Sequence, residues 1–218
     1  MKTVWDKQQF DSDRSVLLMI DMEKAFVEPG AALCIAGAAG TVPSCMRAVN
    51  WARACGIPVI WVKRVYAADG SDMEPPRRKA LEEAGYQNVL APGSVGKNSI
   101  EEPDGLVRDP SEQVLIKPRY SAFFQTDLHE QLQEQGVDTV LLAGTTTPNC
   151  IRSTCYDAMS YNYRTVILEA CCSSRSSSVQ RANIEDMEAA GAVICRGEAP
   201  LPPVCAETEH QQIKEDKR

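Results

Sequence analysis

Three side chains in this 218-residue sequence are of types that do chemistry together: a carboxylate, an ammonium and a thiol. Asp21 closes the apolar run SVLLMID. Lys117 closes VLIK, and Cys150 follows DTVLLAG by a short loop. A carboxylate can take the thiol proton, and an ammonium can favour the thiolate and orient the pair. Thr147 suits a helix N-cap and Pro148 the first helical position, which sets Cys150 in a first turn. That setting is expected to lower the thiol pKa and to offer backbone N–H groups to an oxyanion. No other cysteine has it: Cys34 falls in a loop, Cys45 and Cys55 on a helix, Cys155 deeper in the Cys150 helix. Cys171 and Cys172 end a strand, Cys195 lies within one, and Cys205 is in the tail. The plainer readings are packing for the cysteine, a cap for the aspartate and a solvated lysine.

The elements that must carry these residues read as alternating strands and helices. Apolar strands are expected at residues 15–21, 58–62, 114–117, 138–144, 165–170 and 192–196. Helices are expected at 41–55, 127–135, 148–161 and 176–190, several of them stopped by glycine. Alternation of this kind implies right-handed crossovers, hence an α/β fold with a parallel sheet covered on both faces. Open parallel sheets bind ligands at the carboxyl ends of their strands, where all three residues fall. No internal repeat or linker divides the chain, so one domain over 1–218 is expected, with a core near 15–196 and a frayed charged tail at 206–218. Residues 67–109 break the pattern. They are rich in Gly, Pro and charge with one short helical piece, and long insertions of this kind are usually functional.

Composition narrows the classes. Lys and Arg number 23 against 30 Asp and Glu, a net charge of −7, which argues against a nucleic-acid partner. A 44% hydrophobic and 24% charged composition is that of a globular protein. No apolar run is long enough to span a bilayer, and residues 1–10 lack the core of a signal peptide, so a cytoplasmic protein without membrane contact is expected. Nine cysteines without a C-x-x-C pair are read as mostly reduced, small and buried rather than as a zinc ribbon or disulfide framework.

Asp21 in LLMIDMEKAF, Lys117 in IKPRYSAFF and Cys150 in LLAGTTTPNCIRSTCYDA together resemble the three signatures of the cysteine-hydrolase branch of the isochorismatase-like superfamily. The resemblance runs from about residue 15 to 196. It implies a single-domain αβα fold with a six-stranded parallel sheet. It implies Cys150 as nucleophile, Asp21 as general base and acid, and Lys117 as thiolate stabiliser. It further implies a non-proline cis peptide at Thr145–Thr146, with the N–H groups of Thr146 and Cys150 as oxyanion hole. The expected activity is cleavage of a C–N bond in a small amide, ureido or carbamoyl substrate through a thioester. The alternatives are a non-catalytic or thiol-sensing member and a vinyl ether hydrolase, the latter disfavoured by Cys150. A homo-oligomer, dimer or tetramer, is expected as in relatives.

Departures from relatives refine the reading. Nicotinamidases hold a metal through histidines after the second strand, where this chain reads WVKRVYAADGSD, so no metal and no other cofactor are expected. His129 reads as a surface or packing residue, and His210 lies in the tail. Pro148, Asn149, Arg152 and Arg175 resemble the N-carbamoylsarcosine and maleamate amidase side of the superfamily. There the position matching Arg175 helps to bind a carboxylate, a role suited to a planar guanidinium. Arg152 reads as a packing or subunit-contact residue. Tyr120 and Phe123 are candidate pocket walls. Trp61, Lys63, Arg64 and Tyr66 are pocket candidates by their position at a strand end.

Overall fold

The computed structural model describes residues 11–197. Six strands form one parallel sheet in the order β3-β2-β1-β4-β5-β6, where β1 is Ser15–Ile20, β2 Val59–Arg64, β3 Gln113–Lys117, β4 Thr139–Thr145, β5 Arg164–Ser173 and β6 Val193–Cys195. The chain first works outward from β1 to β3 and then returns to build β4 to β6 on the other side. Strand order therefore reverses between β1 and β4, the place where such sheets open a ligand crevice.

Both faces of the sheet are covered, so β1 is buried at all six positions and alternates between two cores. Leu17 and Met19 join Cys45, Ala48, Val49 and Ala52 of α2 (Ala38–Ala54), with α1 (Lys24–Val27) preceding it. Val16, Leu18 and Ile20 meet the opposite layer: α4 (Leu128–Glu134), α5 (Arg152–Ser160) and α6 (Ser177–Ala189). The strands and helices read from periodicity are present with ends shifted by up to four residues; the single-turn α1 is too short for periodicity to reveal. No helix of the described residues is long and apolar enough to cross a membrane.

The 67–109 insertion carries α3 (Pro75–Glu83), the short helical piece expected there. It builds a third small core in which Leu81, Val89 and Leu90 pack on Ala25, Phe26 and Tyr66. It is pinned to the end of β2: Tyr66 N donates to Leu90 O at 2.8 Å, and Lys63 Nζ donates to Ile100 O and pairs with Glu102, both at 2.7 Å. Among the described cysteines seven are free thiols, while Cys55 is disulfide-bonded, a pairing that no local spacing signals. The expected frayed tail lies outside the described residues.

Candidate active site

The carboxyl ends of β1, β3 and β4 bring Asp21, Lys117 and Cys150 into one buried cluster. Lys117 Nζ donates to Asp21 Oδ2 at 2.8 Å and to Arg119 O at 3.1 Å, and the two side chains are 0% and 1% exposed. With Oδ2 held by the ammonium, no N–H or O–H group donates to the buried Asp21 Oδ1, and the Cys150 thiol lies close enough to bond the Asp21 carboxylate. Oδ1 is the acceptor left open for a thiol proton. Asp21 takes a left-handed backbone (φ 50°), unusual for a residue with a side chain, and its N–H is held by Val62 O at 2.9 Å.

The approach of β4 to β1 needs a glycine. Gly144 has φ +121°, and a Cβ there would drive into the Ile20 carbonyl, so the strand that delivers Cys150 runs unusually close to the one that ends in Asp21. The peptide Thr145–Thr146 is cis, as the resemblance implies. The segment after it departs from the α-helical start expected at residue 148. Thr147–Ile151 forms a wider π-type turn, with Ile151 N reaching Thr146 O at 3.3 Å, and α5 begins only at Arg152. Thr147 does not cap it. Its hydroxyl and that of Thr146 donate to Ser173 O at 3.0 and 3.2 Å, tying the turn to the end of β5. On the other side, Ala122 N donates to Thr154 Oγ1 at 3.0 Å, which fixes the loop after Lys117 against α5.

The thiol pKa also departs from expectation. Burial pushes Cys150 up to about 11, and the Asp21 negative charge adds to the rise; Lys117 and Arg64 pull against it. First-turn placement is outweighed because the sulfur is desolvated beside a carboxylate. At neutral pH Cys150 therefore rests as the neutral thiol. Cys155 is pushed to about 12 by burial, with only Arg152 pulling it down.

Two further charged residues belong to this cluster. Glu23 is fully buried; burial first, then Asp21, raises its carboxyl pKa well above the ordinary value. Its Oε2 accepts from Arg64 N at 3.3 Å, and its Oε1 has no partner. Sequence reasoning missed it because an acid in a loop after a strand reads as solvated. Arg64, at the end of β2 opposite Lys117 in register, is also fully buried.

The remaining candidates separate. Tyr120 is 40% exposed and, with Arg119, Phe124, Pro148, Asn149 and Arg152, lines a groove of about 760 Å³ beside the turn that carries Cys150. Phe123 is instead a core residue, 7% exposed, with ring centroids 5.6 and 5.8 Å from Tyr161 and Tyr163. Phe124, its neighbour of the same type, lines the groove; tertiary packing decides between wall and core. Arg175 is exposed beyond β5 and does not line the groove. Arg152 pairs with Asp186 at 2.6 Å and Asn183 at 3.0 Å, a packing role. Trp61 turns away from the site, its Nε1 donating to Glu112 at 2.7 Å, and His129 packs on Tyr161 with Nδ1 2.9 Å from Tyr163 Oη. Among the described residues no three His, Cys, Asp or Glu side chains gather as a metal site would require.

The sequence and the fold have counterparts. The isochorismatase domain model matches residues 15–199. The chain belongs to the isochorismatase family. A probable inactive nicotinamidase of Arabidopsis thaliana is 39% identical over 180 residues, covering 81% of this chain and 89% of that protein. Maleamate amidohydrolase of Pseudomonas putida is 33% identical over 203 residues, 90% of each chain. The crystal structure of an isochorismatase family protein from Desulfovibrio vulgaris superposes with a TM-score of 0.77 at 40% identity, covering 83% of this chain and 93% of that one. This isochorismatase-family member shares its family with amidohydrolases, and its single-domain six-stranded sheet is the fold they use.

Proposed function

We propose that this isochorismatase-family protein is a cysteine hydrolase that cleaves the C–N bond of a small amide, ureido or carbamoyl compound. The observation that carries the reading is the buried Asp21–Lys117 pair beside the Cys150 thiol, with Asp21 Oδ1 open. A structural thiol needs neither partner.

In this reading the thiol proton passes to Asp21 as sulfur attacks the carbonyl carbon. The negative charge gathers on the carbonyl oxygen, where N–H groups of Thr146 and Cys150 receive it. Collapse breaks the C–N bond, and Asp21 returns the proton to the leaving nitrogen. Water then adds to the thioester, giving its proton to Asp21; the C–S bond breaks and the sulfur regains a proton. The balance is one amide and one water to one acid and one amine. A thiol held near pKa 11 suits this order, because it stays protonated until a substrate carbonyl is in place.

The Arabidopsis relative's name gives a second reading, an inactive member, which the intact trio here disfavours. An ammonia-release screen over small amides, ureido acids and carbamoyl amino acids, with Cys150→Ala as control, tests the first reading. Release that is absent in the variant, with an acyl adduct on Cys150 by mass spectrometry, supports it. No release and no adduct across the panel overturns it.

A further inference from the structure

Arg64 is a buried cation only half satisfied. Nη1 donates to Glu74 Oε1 at 2.6 Å, Pro118 O at 3.1 Å and Tyr66 Oη at 3.2 Å. The other two nitrogens, Nε and Nη2, are buried and have no partner. Donors of a charged group left so are costly, and a native protein keeps them where something else completes the set.

These two nitrogens share one edge of the guanidinium. Their N–H bonds run parallel, the fork that two carboxylate oxygens fit bidentately. The rest of the guanidinium is held in place. Tyr66 Oη bonds Glu74 Oε2 at 2.7 Å and receives Arg77 Nη1 at 2.8 Å, and the Arg64 Cζ sits 5.4 Å from the Tyr120 ring and 5.7 Å from that of Tyr66. Burial opposes ionisation of Glu74, but the Tyr66 and Arg64 hydrogen bonds bring it down to about 2, so it stays a carboxylate. The site lies at the chemistry: Arg64 pairs in register with Lys117, and its charge acts on both Asp21 and Cys150.

We propose that the Nε–Nη2 edge of Arg64 binds a carboxylate of the ligand, so that the site selects small anionic amides. The acid group sits on Arg64 while the scissile carbonyl meets Cys150. This names the substrate class and rests on the hydrolase reading for the second half alone. It also gives the insertion a task, since Glu74, which fixes the opposite corner of Arg64, comes from it.

The test is protection of Cys150 from iodoacetamide by succinate or by succinamide, its uncharged counterpart. In the wild-type protein succinate protects at concentrations lower by about tenfold or more, the advantage of a charge-assisted pair. Arg64→Gln, folded by circular dichroism, loses that advantage. Arg64→Lys keeps the charge and the Glu74 partner but not the fork, so it loses most of it and serves if the glutamine variant fails to fold. Comparing two ligands on one protein cancels any change in thiol reactivity. Equal protection by both ligands in the wild type, or an undiminished succinate advantage in a folded variant, overturns the proposal. Succinate protection without ammonia release from any amide fails the hydrolase reading and leaves the carboxylate site standing. Ammonia release with no preference for anionic over neutral amides does the reverse.

Discussion

Replacing Asp21 by Asn separates proton transfer from thiol reactivity, because the two should move in opposite directions. Cys150 is displaced from an ordinary 9.0 to about 11, which cuts the thiolate fraction near neutral pH about a hundredfold. Burial is the largest cause and survives the substitution; the Asp21 charge is the next and does not. The variant also releases the Lys117 ammonium from its 2.8 Å partner to act on the sulfur. Alkylation of Cys150 by iodoacetamide should therefore speed up at pH 7 by about tenfold, and by less than the hundredfold that the whole displacement represents. Turnover should fall by about 10²–10⁴-fold, the usual range for a positioned acid–base group. The assay follows the alkylated peptide by mass spectrometry across pH 6–11 with Cys150→Ala as blank, alongside steady-state turnover. Slower alkylation together with slower turnover would mean that Asp21 helps to form the thiolate at rest, and proton transfer during attack would be wrong. Near-normal turnover would reduce Asp21 to a strand-end cap.

Three other substitutions probe the ammonium, the buried acid and the strand contact separately. Lys117→Ala should shift the alkylation profile of Cys150 to higher pH, since the ammonium lowers the thiol pKa; an unchanged profile would remove its role as thiolate stabiliser. Glu23→Gln should gain stability relative to the wild type as pH rises above 4.5. A carboxyl whose pKa is raised on folding contributes stability at low pH that is lost as pH climbs toward its folded value, and a glutamine has nothing to lose. A difference in melting temperature that stays flat from pH 4 to 9 would refute this. Gly144→Ala should destabilise the fold by roughly 3 kcal/mol or more in urea unfolding, because it combines overpacking against Ile20 with a backbone angle that side chains avoid. A loss below about 1 kcal/mol would show that β1 and β4 can part.

The legible part of this protein is what a parallel sheet makes periodic. Apolar runs at strand spacing fixed where the chain would turn, and the residues that end those runs had to share one edge. Asp21, Lys117 and Cys150 could be paired from sequence for that reason, with the family signatures adding their roles. Backbone position does not report burial, however. Phe123 and Phe124 are neighbours of one type, yet one stacks in the core and the other is 47% exposed on the groove. Glu23, two residues beyond Asp21, looks like any loop acid until the core formed by the insertion closes around Phe26 and Tyr66.

The same limit explains the error of sign at Cys150. Placement at the start of a helix is readable and favours a thiolate. Desolvation and the nearby carboxylate depend on tertiary closure, and they prevail. Reactivity at this site then cannot be a standing property of the sulfur. It requires an event that weakens the hold of the proton, and in the proposed mechanism Asp21 Oδ1 is the acceptor for it. A ligand carboxylate on the free edge of Arg64 would also reduce the positive charge that now lowers the thiol pKa, so binding alone would make the thiol still less acidic. On the proposed hydrolase reading, proton transfer to Asp21 therefore accompanies attack rather than preceding it.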